Sequence, residues 1–388
     1  MPKKRRPHKK PVRPLVVLPR ADWGAIADHL TNGDEPWHSA WLAHKKHADS
    51  LLSLTPTVFA GPYRGVEDWN HVFDTLNSDG AAARDLAIAY VVSGDAAYAH
   101  RAIVLLDSWA VGNTPTTQQD CDKNDIGYHQ SYGAFSFAYA YELVYELCIP
   151  AEHDSVTNWF HAFVDAIGTS NDKIAADYYI KHPEVMTPYD WNPNLRYRMR
   201  DTYVGSDAAL CGQCARLAMA ATTGYGPAVA DILGNPDNVL GFANALQAAL
   251  TPLNDGDGIA GHPVPAPHVY IGGGYTAGRG GTLDYMTYNT RSCHILYDMA
   301  RNLGRVSENQ KVDLYDTWSY LGRFFGPGAE SDPNASDHVN VPANLPRFAL
   351  AYRAFGDPRF LDILNSGNRA SYTEPQFLGP ITLTHSVS

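Results

Sequence analysis

The sequence predicts an all-α protein, an α/α toroid built as an incomplete barrel of antiparallel helical hairpins. Three observations carry that expectation. Apolar residues recur at helical spacing in segment after segment between residues 81 and 364. Those segments pair across short turns such as Ser93-Gly94-Asp95. Almost no run alternates apolar with polar residues in the manner of a strand. Hairpins repeated over most of the chain without a break in composition point to one ring or solenoid rather than two domains.

The elements follow in order. AAARDLAIAYVVSGDAAYAHRAIVLLDSWA (81–110) reads as two helices, because Gly94 stops the first and Asp95 caps the second. QSYGAFSFAYAYELVYELC (130–148) and SVTNWFHAFVDAIGTS (155–170) repeat the pattern, as do SDAALCGQCARLAMAATTG (206–224) and DNVLGFANALQAAL (237–250). LDYMTYNTRSCHILYDMARNLG (283–304) and KVDLYDTWSYLGRFF (311–325) come next, and NLPRFALAYRAFGDPRFLDIL (344–364) is again helix, Gly-Asp turn, helix. Irregular segments are expected at 111–129, 171–205 and 251–282, gathered on one rim. Loops of that length in a compact fold are usually functional.

The 388 residues are 45% hydrophobic, ample for a sizeable core, and carry a formal charge of -11. No apolar run approaches the roughly 20 residues that span a bilayer, so no membrane partner is expected. The start, KKRRPHKKPVRP, is strongly basic, and the LVVL that follows is too short for a secretory apolar region. Residues 1–14 therefore read as a disordered basic tail, or the remnant of a trimmed export signal, in preference to a nucleic-acid arm; residues 15–388 form a single domain. The acidic remainder argues against a general polyanion-binding surface and requires a local basic cleft for any acidic substrate. RYRMR at 196–200, with Arg279 and Arg291, supplies candidates. Of the five cysteines, Cys211 and Cys214 form a CxxC inside a small-residue helix. No second CxxC or nearby His pair completes a zinc site, so buried thiols are expected, with one disulfide left open. DGDG at 255–258 is too short for an EF-hand calcium loop.

The chemistry concentrates in residues 255–291. A loop too rich in Gly and Pro for regular structure carries His262, His268, Tyr270, Tyr275 and Arg279, then enters a helix that opens with Tyr285, Tyr288 and Arg291. Such a set can pull a proton from a carbon beside a carboxylate, since Arg and His neutralise the carboxylate while a Tyr or His moves the proton. Tyr288 lies in the first turns of the helix, with Asp284 at i-4 and Arg291 at i+3 on the same face. Tyr297 is more than two turns deeper and is expected in the core.

Several of these segments resemble one family. AIAYVVSGDAAYAHRAIVLLDSWA is similar to a helix pair of the alginate-lyase superfamily, NDIGYHQSYGAFSFAYAYELV to its next helix, and LDYMTYNTRSCHILYDMARNLG to the helix that bears a catalytic Tyr, which falls on Tyr288. The family's Asn-Asn-His run is missing, because the matching region near 204–208 reads VGSDA. In its place DWNPNLRYRMRD offers Asn192 and Asn194, and DGDGIAGH resembles the "Asp-Gly, small, small, Gln-His" run of toroidal lyases with His262 in the His position. The pattern looks closest to polysaccharide lyase family 38, whose members cleave β-1,4-linked uronans such as glucuronan or mannuronate-rich alginate. The resemblance implies a secreted or periplasmic lyase, an anionic polysaccharide as partner, no nucleic acid and no cofactor or metal.

It also implies roles. Removal of the C5 hydrogen of a uronate builds negative charge on the C6 carboxylate, met by Arg279, His262 and Asn192 with Arg291 in reserve. Tyr288 would be base, acid or both; a phenol's unperturbed pKa of about 10 requires flanking cations to lower it. Substrate contacts are expected from Arg291, Tyr285, Asn194, Arg198, Arg200, His129, Gln130 and Tyr270. Trp69, Tyr128, Tyr132, Trp191 and Tyr197 are further candidates for stacking on sugar rings. Two rival readings stay open. One is an inverting glycoside hydrolase using Asp255 or Asp257 with Asp207 or Asp284; the other is a noncatalytic carbohydrate-binding protein on the same frame.

Overall fold

The computed structural model describes residues 15–64, 67–117, 126–181, 207–235, 238, 241, 242, 282–306, 308–330 and 341–385. Two helices precede the first expected hairpin, α1 (Arg20–Asn32) and α2 (Trp37–Leu51). A short helix α3 (Glu67–Val72) runs through a π-helical turn into α4 (Ser78–Ser93). Then come α5 (Ala96–Gly112), α6 (Ile126–Val144), α7 (Pro150–Lys181), α8 (Asp207–Thr223) and α9 (Gly226–Gly234). The last set is α10 (Thr282–Asn302), α11 (Glu308–Leu321), α12 (Phe348–Phe355), α13 (Pro358–Asn365) and α14 (Ile381–His385). Among the described residues there is no strand, only an isolated bridge between Glu374 and Gly379.

The turns are those the sequence specifies. Gly94 ends α4 in the left-handed region at φ 72°, and Asp95 opens α5 by accepting the Ala97 N–H at 2.9 Å. Gly356 and Asp357 repeat the device between α12 and α13, where Asp357 accepts the Arg359 N–H at 2.9 Å. Two expected boundaries move. Helix α6 already starts at Ile126, and α7 continues to Lys181, well into the stretch expected to be irregular. Within α7 the bare backbone of Gly168 is a notch in which the Arg216 guanidinium lies, with Nε donating to Val164 O at 3.1 Å.

Helices α4, α6, α8 and α10 form the inner wall, each packed on the next, while α5 and α7 lie outside them. Contacts fix the direction: Asn77 meets His129, Gly80 meets Gly133 and Arg84 meets Ser136, so α4 and α6 run parallel. Their backbones touch. A Cβ on Gly80 would lie 2.7 Å from Gly133 O, and one on Gly133 would lie 2.6 Å from Leu76 O. Beyond α11, helix α12 packs on α14, and α14 packs on α2.

The centre of the ring is filled by the chain's own end. Residues 374–379 make a tight turn, with Glu374 N–H to Gly379 O at 2.7 Å and the reverse bond at 2.8 Å. Phe377 and Leu378 are buried at 0% and 1% exposure, Phe377 against Tyr132 and Phe135 of α6. The sequence carries no periodic signal for this turn. It forms the floor between the inner helices.

Candidate active site

Tyr288 stands at the amino-terminal end of α10, half-buried, on the mouth formed by the starts of the inner helices. Its expected neighbour Arg291 is present: the guanidinium carbon is 5.1 Å from the phenol ring centroid. A second guanidinium, which sequence reasoning missed, is closer. Arg347, just before α12, lies 3.8 Å from the same centroid. Its Nη1 donates to Asn344, whose amide in turn donates to Asp284 on α10. Asp284, expected beside Tyr288, therefore serves the Asn344 and Arg347 side of the site.

Arg291 is buried at 0% exposure and paired with Glu374 of the central turn at 2.6 Å. Its Nη1 also donates to the Gln376 side chain, and its Nη2 to Ser292 Oγ at 3.2 Å. Burial alone would weaken the charge of this guanidinium, but the Glu374 carboxylate outweighs it and raises the arginine's pKa. Glu374 is held below its usual range although burial pushes it the other way, because Arg291 and Arg347 both face it. Arg347 is lowered by burial first and then by Arg291; as an arginine it remains charged. Two guanidiniums thus lie over one phenol ring, and the Glu374 carboxylate faces both of them.

Several sequence expectations are corrected by this geometry. Arg291, expected to meet a substrate carboxylate, is enclosed and paired with Glu374, with its guanidinium carbon 5.1 Å from the Tyr288 ring centroid. Gln130 is also enclosed at 0% exposure, with its amide bonded to both the N–H and the C=O of Thr116 at 3.0 and 2.9 Å. It fixes the backbone ahead of α6 and leaves no face for a sugar. His129 is buried at 2% within an aromatic group, edge-on to Phe73 at 5.6 Å and Tyr128 at 4.8 Å. Tyr297 is in the core as expected.

Asn192, Asn194, Arg198, Arg200, His262, Tyr270 and Arg279 lie outside the described residues, as do Trp191, Tyr197, Asp255 and Asp257. The backbone of Tyr285 belongs to α10 and that of Asp207 opens α8. Cys211 and Cys214 are buried free thiols, as expected, and no disulfide joins the described cysteines. Cys211 faces Ser292 at 3.3 Å.

The arrangement defines a class: an α/α toroid with a tyrosine set among arginines at the mouth of its inner helices. Solved structures share the fold. An alginate lyase from Bacteroides ovatus matches with a TM-score of 0.59 at 17% identity, covering 97% of this chain and 100% of that one. Alginate lyase A1-III from Sphingomonas species A1 matches with a TM-score of 0.56 at 13% identity, covering 97% of each chain. A variant of A1-III complexed with tetrasaccharide gives 0.58 at 14% identity, over 97% of this chain and 96% of that one. No protein-family model and no curated protein matches the sequence. Among the described residues no helix is long and apolar enough to cross a membrane.

Proposed function

We propose that this chain is a polysaccharide lyase that cleaves a β-1,4-linked uronan, glucuronan or mannuronate-rich alginate, by β-elimination. The observation that carries the reading is the Tyr288 ring lying within 3.8 and 5.1 Å of two guanidinium carbons at the mouth of the ring. Similarity in fold to alginate lyases, one of them complexed with tetrasaccharide, supports the substrate class.

The chemistry follows from the site. Tyr288, as the phenolate, takes the C5 proton of the uronate, the C5–H electron pair becomes the C4–C5 double bond, and the C4–O4 bond breaks. The proton passes to the departing oxygen on the same face, and the product carries a 4,5-unsaturated sugar. Arg347 and Arg291 place fixed positive charge beside the group that carries the proton, worth more in a water-poor site than in solvent. Charge developing on the C6 carboxylate is assigned to Arg279, His262 and Asn192, with Asn194, Arg198, Arg200, Tyr270 and Tyr285 along the groove. The basic residues of 196–200 meet the substrate's charge locally on an otherwise acidic chain. This reading places the protein outside the cytoplasm, where such polymers occur.

The test is incubation with alginate, glucuronan, pectate and a glycosaminoglycan while following the ultraviolet absorbance of the unsaturated uronate and the release of reducing ends. Absorbance rising with each new end supports elimination. New reducing ends without absorbance would identify a hydrolase, and binding without either would identify a noncatalytic carbohydrate-binding protein.

A further inference from the structure

The central turn is held from two sides by two buried arginines. From the site side, Arg291 of α10 takes Glu374 Oε1, as described. From the opposite side, Arg84 of α4, 1% exposed, donates from Nη1 to Pro375 O at 3.0 Å and to Ser136 Oγ at 3.4 Å. Ser136 Oγ in turn reaches Gln376 O at 3.5 Å. The Nε of Arg84 is fixed by Asp85 Oδ1 at 2.9 Å.

The fit is close enough to dictate a residue. Gly379 closes the turn at φ 68°, and a Cβ there would lie 2.7 Å from both Arg84 Nε and Asp85 Oδ1. Within the turn, Glu374 Oε2 accepts the Phe377 and Leu378 N–H groups at 2.7 and 3.2 Å. The carboxylate that shapes the turn is thus also the counterion of Arg291. A shift of the turn must therefore shift the charge beneath Tyr288.

We infer that Arg84 is a positioning residue for the Tyr288 site, acting by fixing the Glu374–Gly379 turn and through Glu374 and Gln376 the Arg291 guanidinium. The inference rests on the proposed role of Tyr288. A cavity of about 360 Å³ lies behind the turn, lined by His44, His47, Arg84, Asp85, Tyr372 and Gly379 among others. A shorter cation at position 84 can therefore be hydrated from that side, so Arg84→Lys keeps the charge while losing the fork that grips two acceptors at once.

The test compares wild type, Arg84→Lys and Tyr288→Phe by ¹³C NMR of tyrosines labelled at Cζ, with the Tyr288 resonance assigned by its loss in Tyr288→Phe. Turnover of the uronan that wild type cleaves is measured beside it over a range of pH. Arg84→Lys should move the Tyr288 resonance, lower kcat by about tenfold with KM within about twofold, and displace a limb of the pH profile. A merely structural role lowers the active fraction and leaves resonance and pH profile in place. An unmoved resonance, or a kcat within about twofold of wild type in the folded variant, overturns the inference. If Arg84→Lys does not fold, Ser136→Ala, which removes one hydroxyl from the same network, is read by the same criteria. Retained turnover in Tyr288→Phe would overturn the lyase site itself, while the resonance would still report whether Arg84 positions that tyrosine's surroundings.

Discussion

The Arg347 guanidinium lies face-on to the Tyr288 ring, 3.8 Å from its centroid, although the two residues belong to different helical elements. A cation over an aromatic face is attracted by the ring's quadrupole, by about 0.5–2 kcal/mol depending on desolvation. Here it also brings charge to a phenol whose neighbours are otherwise committed to one another. Replacing Arg347 by Met, similar in length and without charge, should lower kcat by about 10²–10³-fold, with Arg347→Lys intermediate. Steady-state kinetics on the uronan cleaved by wild type checks this, and equal rates for all three proteins would remove Arg347 from the site.

Tyr288→Phe removes one hydroxyl from a half-buried ring and should leave the fold intact. Loss of a group that moves a proton in the transition state should cut kcat by roughly 10²–10⁴-fold while uronan binding is kept. Calorimetric binding beside turnover separates the two. His262→Ala should also slow the reaction, with a larger effect on binding if it meets the carboxylate.

Glu374→Ala leaves Arg291 without its counterion at 0% exposure. Breaking a buried pair by removing one partner costs about 3–5 kcal/mol, more than the pair itself contributes. Urea denaturation should show that loss, and a change under about 1 kcal/mol would mean that Gln376 or water replaces the carboxylate.

Acid should loosen the far end of α10. His294, buried beside Trp318, whose indole donates to it at 2.9 Å, is lowered to about 4 by burial, Asp298 opposing. His385 is lowered as well, by burial and then by Arg353 and His294. The unfolded chain binds these protons near pH 6.5 and the folded chain does not, so stability is present above that pH and falls as pH drops toward 4. For His294 alone the loss is on the order of 3 kcal/mol. Melting curves between pH 7 and 4 test it: His294→Phe should flatten the dependence, whereas an equal slope in both proteins would place the titration elsewhere.

Gly80→Ala and Gly133→Ala each drive a Cβ to within 2.7 Å of a backbone atom across the α4 and α6 contact. Overpacking of this kind costs about 1–3 kcal/mol. A thermal shift of several degrees downward is expected for either variant, and no shift would mean that the two helices move apart freely.

The helices and their turns were legible in the sequence because they are local. Helical spacing, Gly at a left-handed position and Asp at a cap act within a few residues of one another, and 93–96 and 356–358 fold as read. The continuation of α7 to Lys181 was not legible, and within it Gly168 accommodates a distant arginine.

By itself the sequence determined an all-helical ring of hairpins, the small-residue helix with its buried thiols, and the place of Tyr288 in the first turns of its helix. Tertiary structure alone decided what surrounds that tyrosine. Arg291 and Glu374 stand 83 positions apart, and Asn344 and Asp284 stand 60 apart. Periodicity reports which face of a helix is buried but not which partner covers it. The burial of Arg291 and Gln130, the approach of Arg347, and the central turn gripped by Arg84 follow from long-range packing, where a buried charge must find its counterion wherever the folded chain supplies one.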